Sequence, residues 1–278
     1  MTEGTNPDRL EEKDSPTEDL LYHYTNLTAF QSIVENGKLW ATHIRYLNDT
    51  SEQQLFERLF RARVKELIET ASPGTKQRML LWQERLKSEI VPYVVCFSED
   101  DGDRLSQWRG YAAQGGVSIG FKASRLQDHL CQPRPHRLYL QKVLYVDPAG
   151  GKVTNDLIDS LLHIDFDRPG SPNIAYYAHS VSLHWSAGFK HFAFKEEKEA
   201  RLVLFQTTQR PKLRVRGSLM VPYLEVDIHQ QSDALVEQVI VGPNAHQEQT
   251  AESIEGLLRL NGWNAVKVKC SDMPYRGW

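Results

Sequence analysis

Two rhythms of apolar spacing run through the chain, one of period two and one of about 3.6, and their alternation marks its elements. Leu20 to Tyr24 (LLYHY) opens the patterned region as a short strand. Leu27, Phe30, Ile33 and Val34 then recur at helical spacing behind Asn26 or Thr28, either of which suits an N-cap. Gly37 stands where a helix ends in the left-handed conformation, and Leu39 to His43 returns to strand. Further on, Leu55, Phe56, Leu59, Phe60, Val64, Leu67 and Ile68 form one apolar stripe. Pro73-Gly74 interrupts it before a second helix carrying Leu80, Leu81 and Leu86. The pair reads as a helical hairpin inserted at about residues 50–90.

Residues 91–98 (VPYVVCFS) read as a buried strand, followed by the acidic loop EDDGD, a helix over RLSQWRGYA and the strand GVSIGF. LYLQKVLYV, ARLVLF, LRVRG, LMVPYLEVDI and VEQVIVG alternate as strands, with helices expected at 153–163, 173–192 and 247–260. Pro and Gly place loops at 129–138 and 165–173. Strands joined by hairpins as well as helices indicate an α+β fold with a mixed, largely antiparallel sheet and flanking helices. No internal repeat interrupts this pattern, so residues 19–278 are expected to form a single domain behind a disordered, polar leader at 1–18.

The charge balance narrows the function classes. With 36 acidic and 33 basic residues the formal net charge is −3, which does not suit a protein held on nucleic acid by its overall field, although a local basic groove stays open. Three cysteines, Cys96, Cys131 and Cys270, lie far apart without CxxC spacing, as fits a reducing cytoplasm better than a disulfide framework or a zinc cage. No signal-type run and no stretch of roughly 18 apolar residues suggests a membrane span.

Candidate chemistry sits in three segments. Strand alternation sends His23 and Thr25 to one face and Tyr22 and Tyr24 to the other, so that two polar groups point together. The bland alternative is a satisfied core histidine and a strand-end cap. In FKEEKEAR, a strand that begins early enough places Glu197, Glu199 and Arg201 on one face, where neighbouring carboxylates raise each other's proton affinity unless a cation intervenes. The alternative there is a solvated charge run. In SQWRGY, the Arg109 fork matches phosphate oxygens, while Trp108 reads as core and Arg109 equally as the partner of an acid such as Asp49 or Glu197. His179, His184 and His191 lack the spacing of a metal face, so no metal is expected. The acids Glu99, Asp100, Asp101 and Asp103 suit either a divalent cation or simple solvation. Neither a phosphate-loop nor a dinucleotide GxGxxG motif occurs.

The combination of LYHYT, SQWRGY and EKEAR, with IVGPNA and MPYRGW toward the end, resembles a large bacterial family of domain-of-unknown-function proteins over nearly the whole chain. More remotely, the opening LYHYT unit resembles ADP-ribosyltransferase-like folds, in which a His followed two positions on by Thr or Ser lies on a strand before a short helix. That likeness implies a split sheet with NAD in a cleft between its portions. His23 and Thr25 would hold the nucleotide, Tyr46 would stack on nicotinamide, and Glu199, or in its place Glu197 or Glu196, would stabilise the cationic sugar as nicotinamide leaves. Tyr24 departs from the Gly that some such enzymes carry. The implied activity is ADP-ribosyl transfer or NAD hydrolysis in a toxin-like or phage-defence effector, with water or a macromolecule as acceptor. A non-catalytic nucleotide sensor and a metal-dependent nuclease working through the acidic loop are the alternatives.

Overall fold

A computed structural model describes residues 20–47, 52–85, 91–112, 115–130, 137–162, 181, 184–205, 209–228 and 235–274. The leader at 1–18, Asn48, Asp49, Cys131, the whole of the expected 165–173 loop and half of the expected 173–192 helix, with His179, lie outside the described residues. In chain order the elements are β1 (Leu20–Asn26), α1 (Leu27–Asn36), β2 (Lys38–His43), α2 (Glu52–Leu67), α3 (Pro73–Arg85), β3 (Tyr93–Ser98), α4 (Leu105–Tyr111), β4 (Gly116–Lys122), α5 (Ala123–Leu130) and β5 (Arg137–Lys142). They continue as β6 (Leu144–Val146), α6 (Lys152–Leu162), β7 (Phe189–His191), β8 (Glu199–Phe205), β9 (Lys212–Arg216), β10 (Leu219–Asp227), β11 (Val236–Val241), α7 (Gln247–Leu260) and β12 (Lys267–Cys270).

Contacts gather these elements into two compact units. The first draws on residues up to Thr42, on Val94–Lys142 and on residues from Glu197 onward; the second comprises His43–Tyr93 and Val143–Glu196. The helical hairpin expected at about 50–90 falls in the second unit, together with Val143–Glu196.

In the first unit the sheet runs β12-β11-β4-β1-β3-β2-β10-β9, and β8 branches off β3 to carry β5. Among the described residues its registered pairings are antiparallel except β11 with β12, whose parallel pairing follows from the crossover helix α7 between them. The expected α+β class with a largely antiparallel sheet is what the chain adopts. β1 pairs with β4 along seven residues but meets β3 in register only at Tyr22 opposite Ser98. Local chemistry fixes the connection after β1: the Asn26 side chain accepts the Ala29 N–H at 2.8 Å, and Gly37 ends α1 at φ 59°.

The second unit has its own core. Leu55, Phe56, Leu59, Phe60 and Val64 of α2 pack with Ile158, Leu161 and Leu162 of α6 and with Phe189 of β7. The apolar stripe expected on α2 is the buried one. The second expected helix is α3; on it Met79 and Trp82 are buried, Leu81 is half-buried and Leu80 is 55 % exposed. Residues 79 and 82 lie three apart on one helical face, and the Trp82 ring stacking on Phe60 at 5.4 Å selects that face. Helix also stops earlier than expected before His191, since Phe189–His191 pairs in parallel with Leu144–Val146 as β7 with β6.

Candidate functional site

Strand alternation in β1 is realised as predicted. Tyr22 and Tyr24 are buried on one face, while His23 and Thr25 are half-buried on the other. The His23 ring sits edge-on to Phe97, and its Nδ1 lies 2.9 Å from the Cys96 carbonyl oxygen of β3. A carbonyl can only accept, so Nδ1 carries the proton, and the neutral ring presents Nε2 as a lone-pair acceptor. Burial holds the His23 pKa below the ordinary histidine value, the Arg214 charge adds to that effect, and the Cys96 contact opposes it. At neutral pH His23 is therefore an acceptor suited to a hydroxyl.

The other face of β1 is anchored by the acidic loop. Tyr24 stacks edge-on against Trp108 at 4.8 Å, donates its hydroxyl to Asp100 and accepts the Arg104 N–H at 3.1 Å. Asp100 also accepts the Gly102 N–H at 2.8 Å, and Asp103 accepts the Trp108 indole N–H at 2.7 Å and the Asp272 N–H at 2.9 Å. Ser271 donates to the same Asp103 carboxylate. Asp100 and Asp103 thus tie the loop, α4 and the chain after β12 together. Among the described residues no group of three His, Cys, Asp or Glu side chains is placed to hold a metal. Trp108 is core, as expected; Arg109, one residue on, is exposed on α4.

Glu199 and Arg201 share a face of β8, as the alternation requires, and both are buried. Arg201 Nε donates to Glu199 Oε1 at 2.7 Å and Nη2 to Oε2 at 2.9 Å, a bidentate fork that balances the carboxylate charge. Glu197 does not join that face. It ends a 3-10 turn, Phe192–Glu197, and Lys198 at φ 43° separates it from the strand. A left-handed residue resets the alternation on which the shared-face reading of Glu197 depended. Glu197 is half-exposed and Glu196 exposed. The junction itself is tied to β3: Glu99 donates its N–H to the Lys198 carbonyl at 2.8 Å, and the Ser98 hydroxyl lies 2.6 Å from the Glu197 carbonyl. β3 is accordingly the strand that has His23 bonded to its Cys96 and the 197–199 segment bonded to its end.

Arg214 was not singled out in the sequence. From β9 it reaches across β10 and donates Nη2 to Thr42 Oγ1 of β2 at 2.8 Å. Its guanidinium carbon lies 5.2 Å from the Trp40 ring centre and 5.8 Å from that of Tyr223. The register puts Lys38, Trp40 and Thr42, then Val221, Tyr223 and Glu225, then Lys212 and Arg214 on one sheet face. The LRVRG alternation was the available signal, since it sends Arg214 and Arg216 to one side.

Tyr46 belongs to the second unit, where it and Tyr93 each meet the His43 ring edge-on, at 5.5 and 5.1 Å. His184 packs against Trp185 and His191 stacks on Phe192.

Comparison with known proteins agrees with the domain-of-unknown-function resemblance. Residues 107–202 match a family described as "Protein of unknown function (DUF2971)". That stretch runs from α4 through β8 and includes Arg109, Glu197, Glu199 and Arg201. No curated protein and no solved structure matches the chain. Among the described residues no helix is long and apolar enough to cross a membrane.

Proposed function

We propose that the first unit binds a nicotinamide nucleotide on the face of β1 that carries His23 and Thr25, and cleaves its N-glycosidic bond as an NAD glycohydrolase or ADP-ribosyltransferase. The observation that carries this reading is the fixed tautomer of His23. An imidazole held neutral, with Nε2 as acceptor, matches the donor hydroxyl of a ribose, and Thr25 on the same face supplies a second polar contact. Cleavage needs a carboxylate close to the electron-poor sugar. Glu199 stands where β8 joins β3, and half-exposed Glu197 stands two residues before it.

A second reading, binding without cleavage, is favoured by one feature: both Glu199 oxygens are engaged by Arg201. Incubation with NAD and assay of released nicotinamide separates the two. Cleavage predicts release by the wild type that Glu199→Gln or Glu197→Gln lowers by about a hundredfold or more, the scale of losing a transition-state contact. NAD binding by calorimetry without release selects the sensor. No binding and no release removes both.

A further inference from the structure

Among the described residues no acid pairs with the Arg214 guanidinium. It is half-buried, and burial together with the neighbouring Arg216 charge lowers its pKa. Among the described residues its hydrogen bond goes to a neutral hydroxyl, that of Thr42, and its buried Nε has no hydrogen-bond partner. On the same face Glu225 is already held by Lys212 at 2.8 Å and Lys38 at 3.2 Å, and Asp227 stands opposite Lys38, four residues beyond Tyr223 along β10. Two aromatic faces offset part of the cost of taking a guanidinium out of water, but neither supplies a counter-charge. A planar fork held in this way is pre-organised for an oxyanion, because its orientation is fixed before the ligand arrives.

Position adds to the argument. The side chain crosses β10 to end over Thr42 of β2, and β2 is the neighbour of β3, whose Cys96 carbonyl holds His23. The charge of Arg214 is felt at the His23 ring. All of these residues belong to the first unit.

We infer that Arg214, seated on Trp40 and Tyr223, is a phosphate-binding position that receives the pyrophosphate of a nucleotide whose ribose meets His23. The identity of the ligand as a nucleotide rests on the function proposed above; the anion site itself rests on Arg214 and its surroundings.

The test measures affinity of the full chain for ADP-ribose, for adenosine and for inorganic pyrophosphate, in the wild type, Arg214→Gln and Arg214→Lys. Circular dichroism and thermal unfolding check that each variant folds; Arg214→Lys keeps a charge at the site should the glutamine variant fail. The expected result is that Arg214→Gln weakens ADP-ribose binding by about tenfold or more, the scale of a charge-assisted contact, and leaves adenosine binding unchanged. Arg214→Lys, which keeps the charge but loses the fork, should fall between. Unaltered ADP-ribose affinity in a folded Arg214 variant overturns the assignment. If the wild type binds neither ADP-ribose nor NAD, the nucleotide reading fails separately. Pyrophosphate then decides the anion site: thermal stabilisation of the wild type that Arg214→Gln abolishes upholds it, and no stabilisation refutes it.

Discussion

Glu199 and Arg201, two residues apart on β8, close a two-point ion pair with Nε to Oε1 at 2.7 Å and Nη2 to Oε2 at 2.9 Å while Arg201 is fully buried. A buried pair of this kind costs more to break than to replace, because one partner alone leaves an uncompensated charge in a poorly solvated interior. Arg201→Met or Glu199→Leu alone should destabilise the protein by about 3–5 kcal/mol, and the double variant should recover most of that loss. Urea unfolding of the four proteins gives the coupling. Additive losses in the double variant would contradict the pairing as the source of the cost.

Gly116 carries a second stability prediction, one that touches the site directly. A Cβ built there would lie 2.3 Å from the Thr25 carbonyl oxygen and 2.8 Å from the Ala112 Cβ. Asn26 stands opposite Gly116 in the ladder, so relief of the clash must displace the end of β1 that bears Thr25. Gly116→Ala should cost about 1–3 kcal/mol, as overpacking does, and should weaken ligand binding as well. Thermal unfolding and calorimetry on the same variant provide both numbers. Native stability would show that the backbones can part without penalty.

Much of this arrangement was legible in the sequence where a local rule sets it. Period-two spacing separated His23 and Thr25 from the two tyrosines, and a cap at Asn26 or Thr28 and the Gly37 terminator followed from side-chain and backbone preference, the structure selecting Asn26. Glu199 and Arg201 shared a face because β8 is regular between them. What stayed hidden depends on contacts distant in sequence or on a single backbone angle. Glu197 left the shared face through the left-handed Lys198, which nothing in KEEKEAR announces. Arg214 gained its place only when β9 folded beside β10, itself the neighbour of β2, with Trp40 arriving from more than a hundred residues earlier. On α3 the buried face, with Met79 and Trp82, is set by the Phe60 ring of another helix, which the helical spacing alone does not show.

Protonation gives a third test. Burial lowers the pKa of His23 and His43, and that of His184 to about 4. An unfolded histidine takes a proton near pH 6.5, whereas folded His184 resists it down to about pH 4. Across that interval the unfolded state binds more protons, so stability must fall as the pH falls. Carboxylates act lower down: Glu237, held by Lys267 and Lys122 at about 2 against an ordinary value of 4.5, loses its contribution only below pH 4.5. The melting temperature should therefore decline from pH 6.5 to 4.5 through the histidines alone, and His184→Phe should flatten the decline. An unchanged slope in that variant would assign the effect elsewhere.

His23 offers the sharpest separation of structure from binding, because its two nitrogens do different work. Nδ1–H holds the Cys96 carbonyl, and Nε2 is the acceptor offered to a ligand. An asparagine amide nitrogen occupies nearly the place of Nδ1 and keeps the bond to β3, but nothing replaces Nε2. A glutamine extends one methylene further and can set its carbonyl oxygen close to the Nε2 position. His23→Asn should thus stay folded near wild-type stability and lose about tenfold in affinity for ADP-ribose, the scale of one hydrogen bond, whereas His23→Gln should keep more of the affinity at some cost in stability. Protonation of the wild-type ring imposes the same loss as the asparagine variant, since a cationic imidazole cannot accept. Affinity should therefore fall with pH in the wild type, starting below the ordinary histidine value because the folded pKa is lowered, and should show no such fall in His23→Gln. Parallel pH profiles for wild type and His23→Gln would mean that Nε2 does not touch the ligand.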